Sequence, residues 1–167
     1  MGENVEMTTW NGGHTALDVG DWFLRNPVPG EPITHLKLQK LVYYAQAWSL
    51  ALLDAPLFAE DFEAWAHGPV ARSIYRAVAG SGWSPLPAFA EREPAAFSED
   101  QLALLSEVAE TYGAYTAKGL EAMTHSEAPW VDARQGISPE ARSSAVISKT
   151  HMAMFYKEMH SQADGQA

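Results

Sequence analysis

Residues 35–53 have the sequence HLKLQKLVYYAQAWSLALL, which packs apolar and aromatic residues at helical spacing. Projected at about 100° per residue, the apolar side chains fall on two nearly opposite stripes. An ordinary surface helix has one apolar stripe. The pattern therefore predicts a helix that is central to the fold and buried on both sides. The first stripe holds Leu38, Leu41, Val42, Ala45 and Leu52, and the second holds Leu36, Tyr43, Ala47 and Leu50.

The second stripe has an alternative interpretation. An apolar patch that stays exposed on a single chain commonly marks an interface, so Tyr43 and Leu50 are candidate partner-binding residues. If the helix is instead buried on both sides, the hydroxyl of Tyr43 needs a hydrogen-bond partner inside the protein. The burial of the Tyr43 side chain distinguishes the two interpretations.

Capping residues predict where helices begin. Thr15 and Asp18 have the spacing of a capping box before a helix over residues 16–25, and Ser98 and Gln101 repeat the pattern before a helix that continues to residue 112. Hydroxyl side chains at positions 34 and 148 are placed to cap the central helix and the last helix. A further helix is predicted over residues 117–124.

Two short helices are predicted immediately after the central helix. Large aromatic residues recur at positions 58, 62 and 65, which predicts a helix over residues 57–66. Gly68 and Pro69 suit a break followed by a new helix, because a proline at the first helical position loses no needed hydrogen bond. Apolar residues at every fourth position from Val70 give this helix its stripe, and the glycines at 80 and 82 end it.

The chain is predicted to be an all-α single domain of six to eight helices with Pro/Gly-rich connections. Residues 82–97 contain three prolines and predict an irregular connection, and no period-two alternation persists beyond a few residues. The helical domain is expected over residues 14–160. Residues 1–13 are expected to be flexible, and residues 161–167 are expected to form a frayed tail.

Composition limits the classes of partner. The 167 residues carry a formal net charge of −10 and include no cysteine. Phosphate contacts need clustered Lys and Arg, so this charge opposes nucleic-acid binding, whereas a basic protein partner is easier to accommodate. The missing cysteines exclude disulfides and thiolate metal sites. No apolar run is long enough to span a bilayer and no signal-peptide pattern is present, so a cytoplasmic location without a membrane partner is expected.

The sequence contains no recognisable catalytic, cofactor or metal-binding set. His125 and Glu127 match the His-x-Glu fragment of zinc deaminases, but those enzymes also need a Pro-Cys-x-x-Cys segment. No two of the six histidines are four residues apart, the spacing that places two metal ligands on one helical face. The glycine pairs lack the Gly-Lys-Ser/Thr sequence of a phosphate loop. Neither a cofactor nor an enzymatic activity is therefore predicted.

Basic and aromatic side chains outside these motifs have simple structural explanations. Arg72 and Arg76 lie on one face of a predicted helix and are candidate partner-binding residues, although a solvated face explains them without a ligand. The same explanation applies to Lys37 and Lys40. Five tryptophans are predicted to belong to the core, namely Trp22, Trp48, Trp65, Trp83 and Trp130.

Three ordered blocks of sequence carry a resemblance to a known family. They are ITHLKLQKLVYYAQAWSLAL, PLFAEDFEAWAHGPVARSIY and LEAMTHSEAPWVDAR, which begin at Ile33, Pro56 and Leu120. Together they resemble the SocA-like Panacea domain family over about residues 15–160. The resemblance implies an α-helical, cytoplasmic, bacterial or phage-encoded domain that commonly serves as the antitoxin of a toxin–antitoxin pair.

The resemblance also implies a mode of action and a set of motif residues. Such antitoxins neutralise a cognate protein toxin by direct binding, and the SocA branch is associated with delivery of its toxin to the ClpXP protease. Arg134 is expected to bridge to Glu127 or to cap a helix end. The motif residues are interpreted as structural and include Trp65, Gly68, Pro69 and Val70, then Thr124, His125, Glu127, Pro129, Trp130 and Arg134.

Two other classes of function remain open from the sequence. A transcriptional or nucleic-acid regulator would need a basic recognition helix, and the most basic segment contains only Arg72 and Arg76. A small hydrolase would need paired titratable groups in a polar pocket, for which His125, Glu127 and Arg134 are the nearest candidates. The antitoxin function is predicted ahead of both.

Overall fold

The computed structural model describes residues 13–89 and 91–165. Within these ranges the chain forms seven helices and one two-stranded hairpin, so the predicted all-α class is wrong in one detail, although the protein is mostly helical. The segment predicted to be flexible lies outside the described residues, apart from Gly13. In chain order the elements are α1 (Ala16–Arg25), α2 (His35–Leu52), β1 (Glu63–Trp65), β2 (Gly68–Val70), α3 (Arg72–Val78), α4 (Glu99–Tyr112), α5 (Ala117–His125), α6 (Ala128–Ala133) and α7 (Lys149–Gly165).

Helix α2 is the central element, as its two apolar stripes predict. It contacts α1, α4, α5 and α7. Leu38 on the first stripe and Tyr43 on the second are both buried. The hydroxyl of Tyr43 has the internal partner that burial requires, because it lies 3.2 Å from the hydroxyl of Tyr156 on α7. Burial therefore removes Tyr43 from any surface that a partner protein can contact.

Two glutamines between the stripes of α2 hold the segments that pass over it. The Gln39 side chain accepts a hydrogen bond from the backbone N–H of Ala71 at 2.9 Å and donates to the carbonyl of the same residue at 3.2 Å. The Gln46 side chain accepts from the N–H of Leu57 at 2.7 Å and donates to the carbonyl of Phe58 at 2.8 Å. Each buried amide thus satisfies backbone groups that have no helical partner.

The helix starts predicted from capping residues are confirmed. The hydroxyls of Thr15 and Ser98 accept hydrogen bonds in complete capping boxes, and Thr34 caps α2 through the N–H of Lys37. Ser148 accepts from the N–H of His151 at the start of α7. These four side chains each satisfy a backbone donor that the first helical turn leaves unpaired.

The segment after α2 differs from its prediction. Residues 57–66 form no helix, and β1 instead pairs antiparallel with β2, with Glu63 opposite Val70 and Trp65 opposite Gly68. Pro69 consequently lies in a strand, and the next helix begins at Arg72 instead of at the proline. Residues 145–147 cover the other edge of β1, since Ala64 donates to the carbonyl of residue 145 at 2.8 Å.

Two further expectations are corrected at the surface and at the chain end. Trp130 is buried, and the partly buried Trp22 and Trp48 pack against the core as predicted, but Trp83 is 68% exposed and Trp65 is only partly buried. Helix α7 runs to Gly165, so residues 161–165 are helical where a frayed tail is predicted. None of the helices in the described ranges is long and apolar enough to span a membrane.

Candidate functional site

The three sequence blocks meet at the hairpin. Lys40 comes from α2, Gly68 begins β2, and Thr124 lies near the end of α5. A Cβ atom placed on Gly68 would lie 2.4 Å from Cε of Lys40 and 3.0 Å from Oγ1 of Thr124. Gly68 also has a φ of +108°, which residues with a Cβ rarely adopt. Space and backbone conformation therefore both require glycine at this position.

Lys40 is buried beneath the hairpin, contrary to the solvated position predicted for it. Its Nζ donates a hydrogen bond to the carbonyl of Pro69 at 3.2 Å. Burial lowers the pKa of Lys40 to about 7, and the nearby Glu121 carboxylate opposes this shift. Lys37 is buried as well, and its ammonium group donates to the carbonyls of Glu31 at 2.9 Å and Gly113 at 2.6 Å.

The low pKa of Lys40 predicts a pH-dependent stability. Between the folded pKa of about 7 and the unfolded value of about 10.4, the unfolded chain binds the extra proton, so stability rises with pH. We expect wild type to gain about 2 kcal/mol relative to Lys40→Met between pH 7 and pH 9. Urea unfolding of both proteins from pH 6 to 9 measures this difference. The exposed Lys157→Met serves as control, and a pH-independent difference for Lys40→Met would contradict the prediction.

Glu121 faces the solvent side of the same cluster. His67 Nδ1 lies 2.6 Å from one carboxylate oxygen, and Lys118 Nζ donates to the other at 3.1 Å. Burial opposes ionisation of Glu121, but these contacts outweigh it and hold the pKa of Glu121 below its ordinary value. Glu121 is therefore a carboxylate at neutral pH and compensates the basic groups around the hairpin.

A second buried cluster centres on Glu127. One oxygen of its carboxyl group accepts hydrogen bonds from the hydroxyls of Tyr44 at 2.7 Å and Tyr156 at 2.8 Å. Burial raises the pKa of Glu127, and the two hydroxyl donors limit that rise. The sequence motif residue Glu127 thus joins α2 to α7 through tyrosines of both helices.

Arg134 does not pair with Glu127. Arg134 is the C-cap residue of α6, which is one of the two roles expected for it. Its side chain donates hydrogen bonds to backbone carbonyls of other segments. Nη1 donates to Ala64 in β1 at 2.7 Å, and Nη2 donates to Ser138 and Ala141 at 2.6 Å each. The buried guanidinium therefore fastens the hairpin to the segment after α6.

His125 and Trp130 complete the third block. Their rings stack with centroids 4.1 Å apart, and the indole N–H of Trp130 donates to the carbonyl of Trp65 at 2.8 Å. Nε2 of His125 is buried and has no hydrogen-bond partner among the described residues. No hydrogen bond or ion pair joins His125, Glu127 and Arg134 to one another in the described part of the chain, so these three side chains do not form the paired set that a hydrolase would need. The described ranges also contain no cluster of acidic and histidine side chains suited to a metal ion.

Comparison with known proteins assigns the family. Residues 38–131, more than half of the chain, match the family model described as Antitoxin SocA-like, Panacea domain. The chain belongs to this family. Antitoxin SocA of Caulobacter vibrioides (strain NA1000 / CB15N) is 43% identical over 51 residues, which cover 30% of this chain and 27% of that protein. No solved structure gives a significant match.

The match runs from residue 38 in α2 to residue 131 in α6 and includes the hairpin and the cluster around Lys40. Of the second cluster it includes Tyr44 and Glu127, whereas Tyr156 on α7 lies beyond it.

Trp65 of β1 lies beside Arg72, Tyr75 and Arg76 of α3 on the outer surface, and we name these four residues the hairpin patch. Arg72 lies 5.5 Å above the Trp65 ring, and the Tyr75 ring lies 5.1 Å from it.

Glu63 holds the hairpin patch in place. Its carboxylate accepts from Nε of Arg72 at 2.6 Å and from the indole N–H of Trp65 at 3.0 Å. Among the four candidate partner-binding residues, Arg72 and Arg76 are exposed, Leu50 is half-buried and Tyr43 is buried. The sequence did not identify Tyr75 as a member of this surface. Its contact with Trp65 of β1 depends on the hairpin, which the sequence did not predict.

Proposed function

We propose that this protein is an antitoxin that neutralises a cognate protein toxin by binding it directly. The observation that carries the proposal is the family match over residues 38–131. The geometry is compatible with it, because the motif side chains of the Panacea domain are occupied in packing and hydrogen bonds. A protein without an assembled catalytic set inhibits most simply by occupying its target.

Co-expression with the product of the adjacent gene tests this proposal. Growth arrest caused by that product should be relieved when the two proteins are expressed at nearly equal levels. The purified pair should elute from size-exclusion chromatography as one complex. Rescue at a large molar excess of the toxin would instead favour catalytic turnover, and failure to form any complex would contradict direct binding.

Delivery of the toxin to the ClpXP protease is a further part of the proposal, supported by the local similarity to Antitoxin SocA. Rescue should then disappear in cells that lack ClpX or ClpP, while the purified complex still forms. Sequestration alone would survive both deletions. Rescue in a strain that lacks ClpX or ClpP, together with the measurement of complex formation, therefore distinguishes delivery to the protease from sequestration.

We further propose that the hairpin patch contacts the toxin. Trp, Tyr and Arg dominate the energetics of protein interfaces, and Glu63 orders two of these side chains, Trp65 and Arg72, before binding. Tyr75→Ala and Arg76→Glu are each expected to weaken toxin binding about 10-fold or more, measured by titration calorimetry. The matched controls are Tyr115→Ala, since Tyr115 is 46% exposed against 43% for Tyr75, and the exposed Arg142→Glu. Equal effects in variant and control would reject this surface.

A further inference from the structure

A groove opens at the C-terminal end of α2, between α4 and α7. It holds an open pocket of about 160 Å³, whose floor is formed by Trp48, Val108 and Tyr112 and whose edge is formed by Leu52. Leu52 is 40% exposed, which is high for a leucine on the most buried helix of the protein. The volume is close to the ~150 Å³ of an apolar cavity that accepts benzene, so the groove has room for one large apolar side chain.

The floor of the groove is fixed before any ligand arrives. The indole N–H of Trp48 donates to the hydroxyl of Tyr112 at 2.8 Å. The Tyr112 ring stacks on that of Tyr44 with centroids 4.0 Å apart, and the Trp48 ring lies 5.4 Å from that of Tyr156. The polar atom of Trp48 is therefore already bonded within the protein, and the groove presents mainly ring surface. Such a site favours an apolar group and needs little reorganisation.

The rim of the groove carries one carboxylate, that of Glu107. Glu107 lines it on α4, a helix that carries four acidic residues and no Lys or Arg. On the α7 side, His160 lies 3.2 Å from Asp164, and Lys157 lies 2.9 Å from Asp54. Lys157 and His160 thus each lie beside a carboxylate, whereas the Glu107 side chain has no hydrogen-bond or ion-pair partner among the described residues. A ligand that adds positive charge beside Glu107 is therefore favoured over one that adds negative charge.

This groove is separate from the hairpin patch. His35 at the start of α2 lies beside Tyr75, with ring centroids 5.6 Å apart, whereas Leu52 is the last residue of the helix. The 17-residue separation along a helix corresponds to about 26 Å. The two surfaces thus lie near opposite ends of the central helix and can be tested independently.

We propose that the groove binds a basic, amphipathic helical segment of a partner protein. One apolar side chain of the segment enters the pocket over Trp48, and a Lys or Arg of the segment faces Glu107. Binding of an amphipathic helix in an apolar groove is a common mode of peptide recognition, with anchors spaced by three or four residues. The inference concerns the chemistry of this groove and holds whether or not the partner is a toxin.

A titration with a fluorescein-labelled peptide of ~14 residues, built from Leu and Lys as an amphipathic helix, tests the proposal. We expect saturable one-site binding by fluorescence anisotropy and no saturable binding of the Leu/Glu counterpart. Leu52→Asp and Glu107→Lys are each expected to weaken binding about 10-fold or more. Two controls make the same chemical changes elsewhere. Leu102→Asp alters a leucine that is also 40% exposed, and Glu93→Lys changes the net charge equally, and both should bind within about twofold of wild type.

The outcomes that contradict the proposal are distinct. If Glu93→Lys loses as much affinity as Glu107→Lys while Leu52→Asp, which adds a negative charge, loses none, the peptide binds only through the overall negative charge. If wild type elutes as a dimer that Leu52→Asp converts to a monomer, the groove is covered by a second copy of this chain. Glu107→Lys changes an exposed side chain, so its effect is measured on a folded protein even if Leu52→Asp lowers the melting temperature.

Discussion

Trp130→Ala is expected to lower the free energy of unfolding by about 3–5 kcal/mol, the range for loss of a buried aromatic side chain. Trp130 is 4% exposed, and its indole N–H donates to the carbonyl of Trp65. Its ring also stacks on His125 and lies 4.8 Å from the guanidinium of Arg134. Removal of the ring therefore opens a cavity and leaves a carbonyl of β1 without its donor. A loss of this size is a large fraction of the stability of a typical domain.

Trp83→Ala is the matched control, because Trp83 is 68% exposed and the same atoms are removed. We expect it to change the free energy of unfolding by no more than about 0.5 kcal/mol in urea titrations monitored by circular dichroism. If Trp130→Ala kept the stability of wild type but lost toxin binding, Trp130 would belong to the interface and not to the core.

Glu127→Ala has the second large expected effect. It leaves the buried hydroxyls of Tyr44 and Tyr156 without their shared acceptor and creates a cavity between α2 and α7. Tyr156 keeps the Tyr43 hydroxyl at 3.2 Å as an acceptor, so Tyr44 is the donor left unsatisfied. An unsatisfied buried donor costs about 1–3 kcal/mol and the cavity adds to it, so we expect a total loss of about 2–5 kcal/mol. Glu127→Gln retains an acceptor oxygen of similar position and should cost much less. An equal loss in both variants would show that the carboxyl group is not used as a shared acceptor.

The difference in stability between wild type and Glu127→Gln should also depend on pH. Because burial raises the pKa of Glu127, the folded state binds a proton at a pH where the unfolded chain has released it. Stability of wild type relative to Glu127→Gln should therefore increase as the pH falls from 7 toward the unfolded pKa of about 4.3. Urea titrations of both proteins at several pH values measure the trend, and the opposite slope would contradict the raised pKa.

The sequence predicted the elements whose signals are local. The hydroxyls of Thr15 and Ser98 act on backbone groups within one turn, so the capping spacing alone located the starts of α1 and α4. The two stripes of α2 predicted its burial on both sides, and the structure confirms that prediction through Tyr43. In each case the information lies within a few residues of the structure that it specifies.

The hairpin was missed because its stabilising contacts come from distant segments. Phe58 and Phe62 have helical spacing, but the backbone near Phe58 is held by Gln46 and that of Phe62 by Ile147. In this segment buried and partly buried residues alternate over residues 62–65, which is too short a run to distinguish a strand from a helix.

The partners of the polar residues Lys40 and Arg134 were not predicted, for a related reason. Lys40 was predicted to lie in solvent because its acceptor, the carbonyl of Pro69, is a backbone group with no sequence signal. The acceptors of Arg134 are likewise carbonyls, one of them 70 residues away in β1. The sequence did contain one indication of this contact. A lysine in a helix that is buried on both sides needs a buried hydrogen-bond acceptor for its ammonium group.

The burial of α2 provides a way to detect binding without a label. Amides in the middle turns of a helix covered by other elements exchange with solvent mainly through global unfolding, so their exchange rate reports the stability of the whole domain. A partner present at about 100 times its Kd adds about 2.7 kcal/mol and should slow that exchange about 100-fold. Hydrogen exchange of residues 40–47, followed by mass spectrometry, therefore responds to a ligand at the hairpin patch, in the groove or elsewhere on the domain.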